Sequence, residues 1–285
     1  MAEALITNVM TVDVEDYFHV QAFAGVIDRS QWDRYPLRVE QNTRHVLEMF
    51  HEFNVRATFF VLGWVAERCV KLVREIADAG HEVGCHGYAH QPIYDGDEKV
   101  FRQDVRHAVG VIENVLGRRL RSYRAPSYSI TKKTMWALDV LAEEGFEFDS
   151  SIFPVVHDNY GIPDAPRFPH VRKLNEGGRI TEFPPSTVRL LGNNVPVAGG
   201  GYLRLYPYRV TSWAIEYLNM RERQPAMVYM HPWEIDGEQP RIPAPWRSRF
   251  RHYQNIETTE NKMRQLLGAF AWRPMAEFLD QSSLN

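Results

Sequence analysis

The chain has 285 residues, with 33 basic and 36 acidic side chains, a formal net charge of −3 and 44% hydrophobic residues. This composition is that of an ordinary globular protein, and the near balance of charge argues against a surface built for nucleic acid or anionic membrane. No apolar run approaches the ~20 residues of a membrane-spanning helix, and residues 1–4 lack the basic and apolar regions of a signal peptide. The two cysteines, Cys69 and Cys85, exclude a disulfide framework. We therefore expect a cytoplasmic protein, or one at the inner membrane face.

Short apolar runs alternate with amphipathic helical patterns through the first half of the chain. Strands are predicted at residues 9–14, 57–62, 81–84, 122–124 and 146–149. Helices are predicted to begin at Asn42, near Val70, near Phe101 and after Thr131 as N-cap, and the last three to end at Gly80, Gly117 and Gly145. Strand-then-helix order implies parallel strands with crossover helices. Such sheets carry their chemistry at the carboxyl ends of the strands.

The regular pattern ends at Pro154. Residues 154–206 are rich in Pro, Gly and Asn, and we expect an insertion that forms a wall of the site, with strands at 180–183 and 187–190 that could pair as a hairpin. A helix across 210–218, a strand at 226–230 and a helix at 258–270 follow. The interpretation is one domain, residues 1–285, with insertion 154–206 and a C-terminal helical extension 235–285.

Three carboxylates follow the first strand, at Asp13, Glu15 and Asp16. On an extended strand Asp13 and Glu15 share a face, and Asp16 points to the other. Clustered carboxylates repel, so the cluster indicates a bound cation or a raised pKa. A solvated acidic turn is the alternative.

Two histidines, His86 and His90, follow the third strand at a spacing of four. Imidazoles four apart can reach one metal ion from a single helical turn. The chain has 11 histidines, so such a spacing also arises by chance. Together with the acidic cluster, however, the pair favours a metal site of two histidines and one carboxylate.

Two further strand ends carry chemically active residues. Arg124 precedes Pro126, which fixes the backbone, and an arginine there can clamp a carboxylate bidentately or form a structural salt bridge. His231 lies beside Trp233, and a histidine next to an aromatic surface suits a general acid with its pKa near neutrality. A histidine with only a capping role is the alternative.

Together these segments resemble the polysaccharide deacetylases of the NodB-homology family (carbohydrate esterase family 4). The segments that resemble the five family motifs are, in chain order, residues 11–16, 86–90, 124–127, 148–151 and 229–231. Variants that resemble more narrowly the deacetylases of exosortase (PEP-CTERM) exopolysaccharide loci stand at residues 13–19, 149–154, 199–204, 231–234 and 251–253. The family's adjacent Asp-Asp pair is replaced here by Asp13, Glu15 and Asp16, and strand alternation favours Glu15 as the metal carboxylate, with Asp16 in reserve.

The resemblance implies a distorted (β/α) barrel of about seven strands and a metal-dependent amide hydrolase that holds one divalent cation, with Zn²⁺ as the expected ion. The implied roles are Asp13 as general base on a water at the metal, His86, His90 and Glu15 as ligands, Arg124 orienting Asp13, the Ser127 backbone N–H stabilising the oxyanion, and His231 protonating the amine. Residues expected to contact the substrate are Ser127, Tyr128, Asp149 and Trp233.

The leading functional hypothesis is removal of N-acetyl groups from N-acetylhexosamine units of a polysaccharide, or of its lipid-linked precursor, during exopolysaccharide biosynthesis. A cyclic-imide or allantoin-type hydrolase on the same fold is the second hypothesis, because fold alone does not fix the substrate. A catalytically silent carbohydrate-binding protein is the third. The expected partner is an acetylated oligo- or polysaccharide, not a nucleic acid.

Overall fold

The computed structural model of the chain describes residues 6–158, 160–175, 177–197 and 199–282. Residues 1–5, which include the four on which the expectation of a missing signal peptide rests, lie outside the described residues. Within these ranges no helix is both long and apolar enough to cross a membrane.

Seven parallel strands form the body of a nine-stranded sheet. They are β1 (Asn8–Val14), β2 (Thr58–Val61), β3 (Glu82–Cys85), β4 (Ser122–Tyr123), β5 (Phe148–Asp149), β7 (Arg179–Glu182) and β10 (Met227–Met230). Their spatial order is β10-β1-β2-β3-β4-β5-β7. The two other strands are β6 (His170–Lys173), antiparallel to β7 at the edge, and β11 (Trp272–Arg273), parallel to β1.

Ten α-helices accompany the sheet within the described ranges. They are α1 (Val39–Glu52), α2 (Gly63–Arg68), α3 (Val70–Asp78), α4 (Glu98–Leu116), α5 (Ala137–Glu143), α6 (Gly200–Leu205), α7 (Tyr208–Tyr217), α8 (Trp246–Tyr253), α9 (Ile256–Ala269) and α10 (Met275–Gln281). The predicted glycine stop of α4 is confirmed, because Gly117 caps it at φ +66°.

The sheet curls until its two ends approach each other. Ser186, just after β7, donates its main-chain N–H to the Met227 carbonyl at 3.4 Å, and the Met227 N–H donates to Ser186 Oγ at 2.7 Å. The predicted fold, a distorted (β/α) barrel of about seven strands, is confirmed. All seven residues of β1 are buried, because β10 and β2 flank it, so the strand that leads into the acidic cluster is enclosed within the fold.

Two local predictions are wrong. The strands at 179–182 and 187–190 do not pair with each other: β7 pairs with β5 and β6, and β8 (Thr187–Leu190) forms its own hairpin with β9 (Asn193–Pro196). Thr131 does not cap α5, which begins only at Ala137, because the Thr134 hydroxyl accepts the Thr131 N–H and ties residues 131–134 into a turn.

Candidate active site

The carboxyl ends of the parallel strands open into a cavity of about 800 Å³. The predicted site residues that line it are Asp13, Glu15, His86, His90, Ser127, Tyr128, His231 and Trp233. Residues from both ends of the 154–206 segment also line it, among them Tyr160 and Tyr202. Parts of this segment therefore lie on the wall of the cavity, where the insertion was expected.

The acidic cluster divides between the cavity and the helix that follows. Asp13 is the penultimate residue of β1, and the Glu15 N–H donates to the Asp13 carbonyl at 3.0 Å, a tight turn that leaves both side chains on the cavity. Asp16 points elsewhere, because its Oδ2 accepts the N–H groups of Arg38 at 2.7 Å and Val39 at 2.9 Å. A carboxylate at a helix start satisfies N–H groups that have no partner within the helix. This contact also explains why α1 begins earlier than predicted, at Val39.

Glu15, His86 and His90 bring three ligand atoms within 4.8 Å of one another, and all three residues are buried. Burial favours a raised pKa for Glu15, but the neighbouring imidazoles, His90 foremost, outweigh it and hold this pKa well below its usual range. Glu15 Oε2 is buried and accepts no hydrogen bond from any described residue, although His90 Nε2 lies 2.9 Å away. A buried carboxylate oxygen left without a donor between two imidazoles suits a cation.

His86 has the tautomer that metal ligation requires. Its Nδ1 lies 2.8 Å from the main-chain oxygen of Arg124. Because a carbonyl can only accept, Nδ1 carries the proton and Nε2 carries the free lone pair. Burial lowers the pKa of His86 to about 4, so the ring stays neutral at physiological pH. The three residues therefore fit a divalent cation.

His86 and His90 meet through a loop, so the predicted helical turn is wrong. Gly87 and His90 have φ values of +73° and +47°, which break a helix. Asp104 on α4 accepts the Tyr88 N–H at 2.8 Å and fixes the loop from outside. A Cβ on Gly87 would lie 2.9 Å from Asp104 Oδ2, so this position requires glycine.

Arg124 is fully buried and pairs with Asp13 through one nitrogen. Its Nη1 lies 2.7 Å from Asp13 Oδ1 and donates to Thr11 Oγ1 at 2.8 Å. Its Nη2 instead donates to Ser150 Oγ at 2.9 Å, and the guanidinium lies over the Phe60 ring at 4.3 Å. The expected bidentate clamp is corrected to a single contact, which still fixes the orientation of the Asp13 carboxylate.

Ser127 and Tyr128 form a strained turn at the cavity wall. Both have left-handed backbone conformations, with φ +54° and +52°. A non-glycine residue in this conformation destabilises the folded state by on the order of 1–3 kcal/mol, and residues of this kind cluster at functional sites in proteins. The Tyr128 ring packs edge-on against Tyr229 at 5.2 Å, which helps to hold the turn in place.

His231, just after β10, reaches both carboxylates of the cavity. Its Nε2 lies 3.8 Å from Asp13 Oδ2 and 3.5 Å from Glu15 Oε1. Its Nδ1 lies 3.4 Å from Glu234 Oε2 on the other side of the ring. Burial lowers the pKa of His231, but the three carboxylates, Glu234 foremost, outweigh burial and raise this pKa to about 9. The imidazolium is therefore the prevailing form at neutral pH in the metal-free protein.

Glu234 and Arg204 belong to the site, although neither residue was predicted from the sequence to have a role there. Glu234 is 0% exposed; its Oε2 accepts the His231 N–H at 2.9 Å, and its Oε1 accepts from Arg204 Nε at 2.8 Å. Arg204 also donates to the His252 carbonyl. Both residues lie in segments that resemble exosortase-associated deacetylases, 199–204 and 231–234. This resemblance was a signal in the sequence, but it implied no chemical role for either residue.

Trp233 supports Glu15 as well as lining the cavity. Its indole N–H donates to Glu15 Oε1 at 3.2 Å, and its ring stacks on His252 at a centroid distance of 4.1 Å. Only 4% of Trp233 is exposed. Most of the indole is therefore engaged by the protein itself.

Asp149 lies outside the cavity, and its placement does not support the predicted contact with substrate. It is 0% exposed, and its Oδ1 accepts from Ser151 Oγ at 2.6 Å. Ser151 Oγ in turn accepts the Ala125 N–H at 2.8 Å, next to Arg124. Asp149 therefore stabilises the segment that carries Arg124. Its neighbour Glu182 is also buried, and burial together with Asp149 raises the pKa of Glu182 well above its usual range.

Two family models match separate parts of the chain. Residues 30–147 match the polysaccharide deacetylase family, and residues 150–280 match a domain family of unknown function, DUF3473. Asp13 and Glu15 precede the first match and His231 lies in the second, so the cavity draws on residues from both matched parts and from the segment before them.

Two curated relatives match part of the chain. A peptidoglycan deacetylase of Helicobacter pylori is 30% identical over 107 residues, which are 38% of this chain and 36% of that protein. A peptidoglycan-N-acetylglucosamine deacetylase of Bacillus cereus is 30% identical over 98 residues, which are 34% of this chain and 36% of that protein. The chain thus matches only 36% of the length of either relative.

Solved structures share the fold along nearly the whole chain. A candidate polysaccharide deacetylase from Mycobacterium smegmatis superimposes with a TM-score of 0.61 at 20% identity, covering 95% of this chain and 88% of that one. The Puue allantoinase superimposes with a TM-score of 0.60 at 14% identity and the same coverages of 95% and 88%. At these identities the structures establish the fold alone. The match of residues 30–147 shows that this part of the chain is similar to the polysaccharide deacetylase (NodB-like) family.

Proposed function

We propose that this protein is a metal-dependent deacetylase that hydrolyses N-acetyl groups of N-acetylhexosamine units in a polysaccharide or its lipid-linked precursor. The observation that carries the proposal is the arrangement around Asp13. Its carboxylate is held by Arg124 at 2.7 Å and lies 3.8 Å from His231 Nε2, beside the ligand set of Glu15, His86 and His90. A base, an acid and a cation site thus share one cavity.

Glu15, His86 and His90 would hold the cation. Two imidazoles and one carboxylate are a ligand set that Zn²⁺ accepts. When bound, a divalent cation supplies Lewis acidity toward a carbonyl oxygen and lowers the pKa of water. Asp16 takes no part in this set, because its carboxylate is committed to the start of α1.

The chain's own residues would move the protons. Asp13 accepts a proton from the attacking water, and Arg124 keeps its carboxylate oriented for that task. His231 donates a proton to the departing amine, and the Glu234 carboxylate on the far side of the ring favours the imidazolium form that this step requires. The Ser127 N–H stabilises the oxyanion that forms on the acetyl carbonyl. Each acid or base of this kind contributes about 10²–10⁴-fold in rate.

The aromatic lining of the cavity suits a sugar substrate. Tyr160 and Tyr202 on the wall, with Tyr128 and Trp233 nearer the carboxylates, offer flat apolar surfaces beside polar groups. Cavities of this size that combine apolar walls with a few polar groups commonly bind small ligands or short segments of larger ones. In this proposal Tyr128 and Trp233 lie beside the acetyl group and the two wall tyrosines contact neighbouring sugars.

The proposed setting is exopolysaccharide biosynthesis. Four of the five segments that resemble exosortase-associated deacetylases contribute residues to the cavity lining, namely 13–19, 199–204, 231–234 and 251–253. The Helicobacter pylori and Bacillus cereus relatives are named as peptidoglycan deacetylases. Peptidoglycan is therefore the second substrate to test beside chitooligosaccharide.

The decisive experiment measures acetate released from chitooligosaccharide and from peptidoglycan, with ring opening of allantoin measured in parallel. We expect acetate release, and a loss of about 10²-fold or more in Asp13→Asn with metal content unchanged. The exposed Asp78→Asn serves as the matched control. Ring opening without acetate release would favour the allantoinase hypothesis, and sugar binding without turnover would favour a silent binding protein.

A further inference from the structure

A short helix beside the cavity presents aromatic residues to solvent. Trp246 and Phe250 of α8 are 70% and 59% exposed. Because residues four apart lie on one face of a helix, the two aromatic side chains are neighbours. Exposed Arg247 and Arg249 flank that face. On the other side of the helix, His252 is only 2% exposed.

This helix is strongly basic. It carries Arg247, Arg249 and Arg251 and no acidic residue. No salt bridge joins these three arginines to a carboxylate among residues 6–158, 160–175, 177–197 and 199–282. The charge balance of the whole chain argued against a surface for anionic membrane, but that balance averages over this local excess of positive charge.

The apolar surface continues to the mouth of the cavity. Val156 and Leu205 both line the cavity, and they are 80% and 47% exposed. Phe250 lines it as well. Large apolar side chains that cluster at one exposed edge indicate a surface that binds a protein partner or a membrane. We call Trp246, Phe250, Val156 and Leu205, with the arginines of α8, the apolar rim.

We propose that the apolar rim docks on an anionic lipid bilayer, with Trp246 and Phe250 at the level of the headgroups and the arginines against lipid phosphates. A helix with Trp and Phe on one face and arginines at its flanks has the composition of interfacial helices. Each arginine near an anionic surface strengthens binding about fivefold. A soluble acidic polysaccharide would match the arginines and could stack on Trp246, but the exposed aliphatic side chains of Val156 and Leu205 offer no flat face to a sugar ring.

Docking of this kind would select the substrate. Because Phe250 and Arg251 lie both on α8 and on the cavity lining, a bilayer bound at the rim sits at the entrance of the cavity. The substrate class that follows is an acetylated sugar close to its lipid carrier, whose phosphate would meet Arg251. This second step rests on the proposed deacetylase function, whereas the docking itself does not.

The test is co-sedimentation with vesicles of phosphatidylcholine, with and without phosphatidylglycerol, at several salt concentrations. The variant combines Trp246→Ala, Arg247→Gln and Arg249→Gln, three residues outside the cavity lining. The matched control combines Trp213→Ala, Arg209→Gln and Arg221→Gln, since Trp213 is 45% exposed on another helix and both arginines are exposed.

We expect the native chain and the control to bind only the anionic vesicles, more weakly as salt rises, and the α8 variant to bind at least about tenfold more weakly. Equal binding by the α8 variant, or no vesicle binding by the native chain, would overturn the proposal. So would capture of a soluble acidic polysaccharide in place of vesicles.

Activity measurements separate this inference from the proposed function. On soluble chitooligosaccharide the α8 variant should match the native chain, and on an acetylated glycolipid in anionic vesicles it should turn over more slowly. Equal rates on both substrates would overturn the role in substrate selection. If the native chain releases no acetate from either substrate, the proposed function fails while vesicle binding still decides the docking.

Discussion

Glu234 contacts His231 at two points: its Oε2 accepts the His231 main-chain N–H at 2.9 Å and lies 3.4 Å from the imidazole Nδ1. The same carboxylate is held from behind by Arg204 at 2.8 Å. A buried group that contacts both the backbone and the ring of a histidine fixes the ring's orientation and favours its charged form. In this chain the residue that orients the proposed acid therefore comes from the segment just after β10.

Glu234→Gln should move the alkaline limb of the pH–rate profile to lower pH. The substitution removes the largest of the carboxylate effects that hold the pKa of His231 at about 9, so the imidazolium is lost earlier as pH rises. The variant should also be less stable, since a buried Arg204 loses its partner. Rates of acetate release between neutral and alkaline pH check this. Glu238→Gln, whose side chain is 92% exposed, is the control, and an unshifted profile in Glu234→Gln would remove Glu234 from this role.

Metal content should distinguish the two neighbouring carboxylates. Glu15→Gln should lower the fraction of protein that retains a divalent cation, because Glu15 shares the ligand set with His86 and His90. Asp16→Asn should retain the cation and lose about 1 kcal/mol of stability, as a bond to the start of α1 is lost. Elemental analysis and urea unfolding measure the two effects. The opposite pattern would mean that Asp16 is the ligand.

Gly199→Ala should be far more damaging than Gly201→Ala. A Cβ on Gly199 would lie 1.9 Å from Tyr229 Cδ1, so the ring would have to move into its neighbour Tyr128. Overpacking of this kind costs about 1–3 kcal/mol. A Cβ on Gly201 has its nearest neighbour at 3.9 Å. Urea unfolding of both variants decides the matter, and equal stabilities would contradict the close approach.

The metal-free protein should lose stability as pH falls from about 6.5 toward 4. Burial, with a smaller effect of the Arg56 charge, lowers the pKa of His81 to about 4. Its Nδ1 accepts the Ala57 N–H at 3.1 Å. Below pH ~6.5 the unfolded chain binds a proton here that the folded chain excludes, so stability falls by up to about 1.4 kcal/mol per pH unit. His81→Gln should flatten this dependence in urea unfolding at pH 7 and 5, and the exposed His51→Gln should not. An unchanged slope in His81→Gln would count against the argument.

Local patterns predicted the parts of the structure that depend on neighbours in sequence. Apolar residues in the sequence predicted the bounds of β1 and α4 to within a few residues, because burial of an element requires apolar residues at regular positions. Strand alternation predicted that Asp13 and Glu15 share a face; both do line the cavity, but a turn places Glu15 there, because β1 ends at Val14 and the Glu15 N–H donates to the Asp13 carbonyl.

Contacts between distant segments left no such trace. The pairing of Arg204 with Glu234 spans 30 residues and an intervening helix, so no periodicity could indicate it. The spacing of His86 and His90 suggested a helical turn, but the glycine between them and the contact with Asp104 impose a loop. Asp149 resembled a site residue by motif, and only its burial shows that it supports the neighbouring segment instead.

β1 lies between β2 and β10, so the site can be completed only after β10 has been synthesised. Glu15, His86 and His90 can take up their arrangement earlier, once residues through Arg124 have left the ribosome, because Asp104 fixes the loop between the two histidines and the Arg124 carbonyl accepts from His86. His231 follows after about 107 further residues, which takes on the order of ten seconds at ~5–20 residues per second. In the proposed mechanism, a nascent chain would therefore present the three ligands before it has its acid.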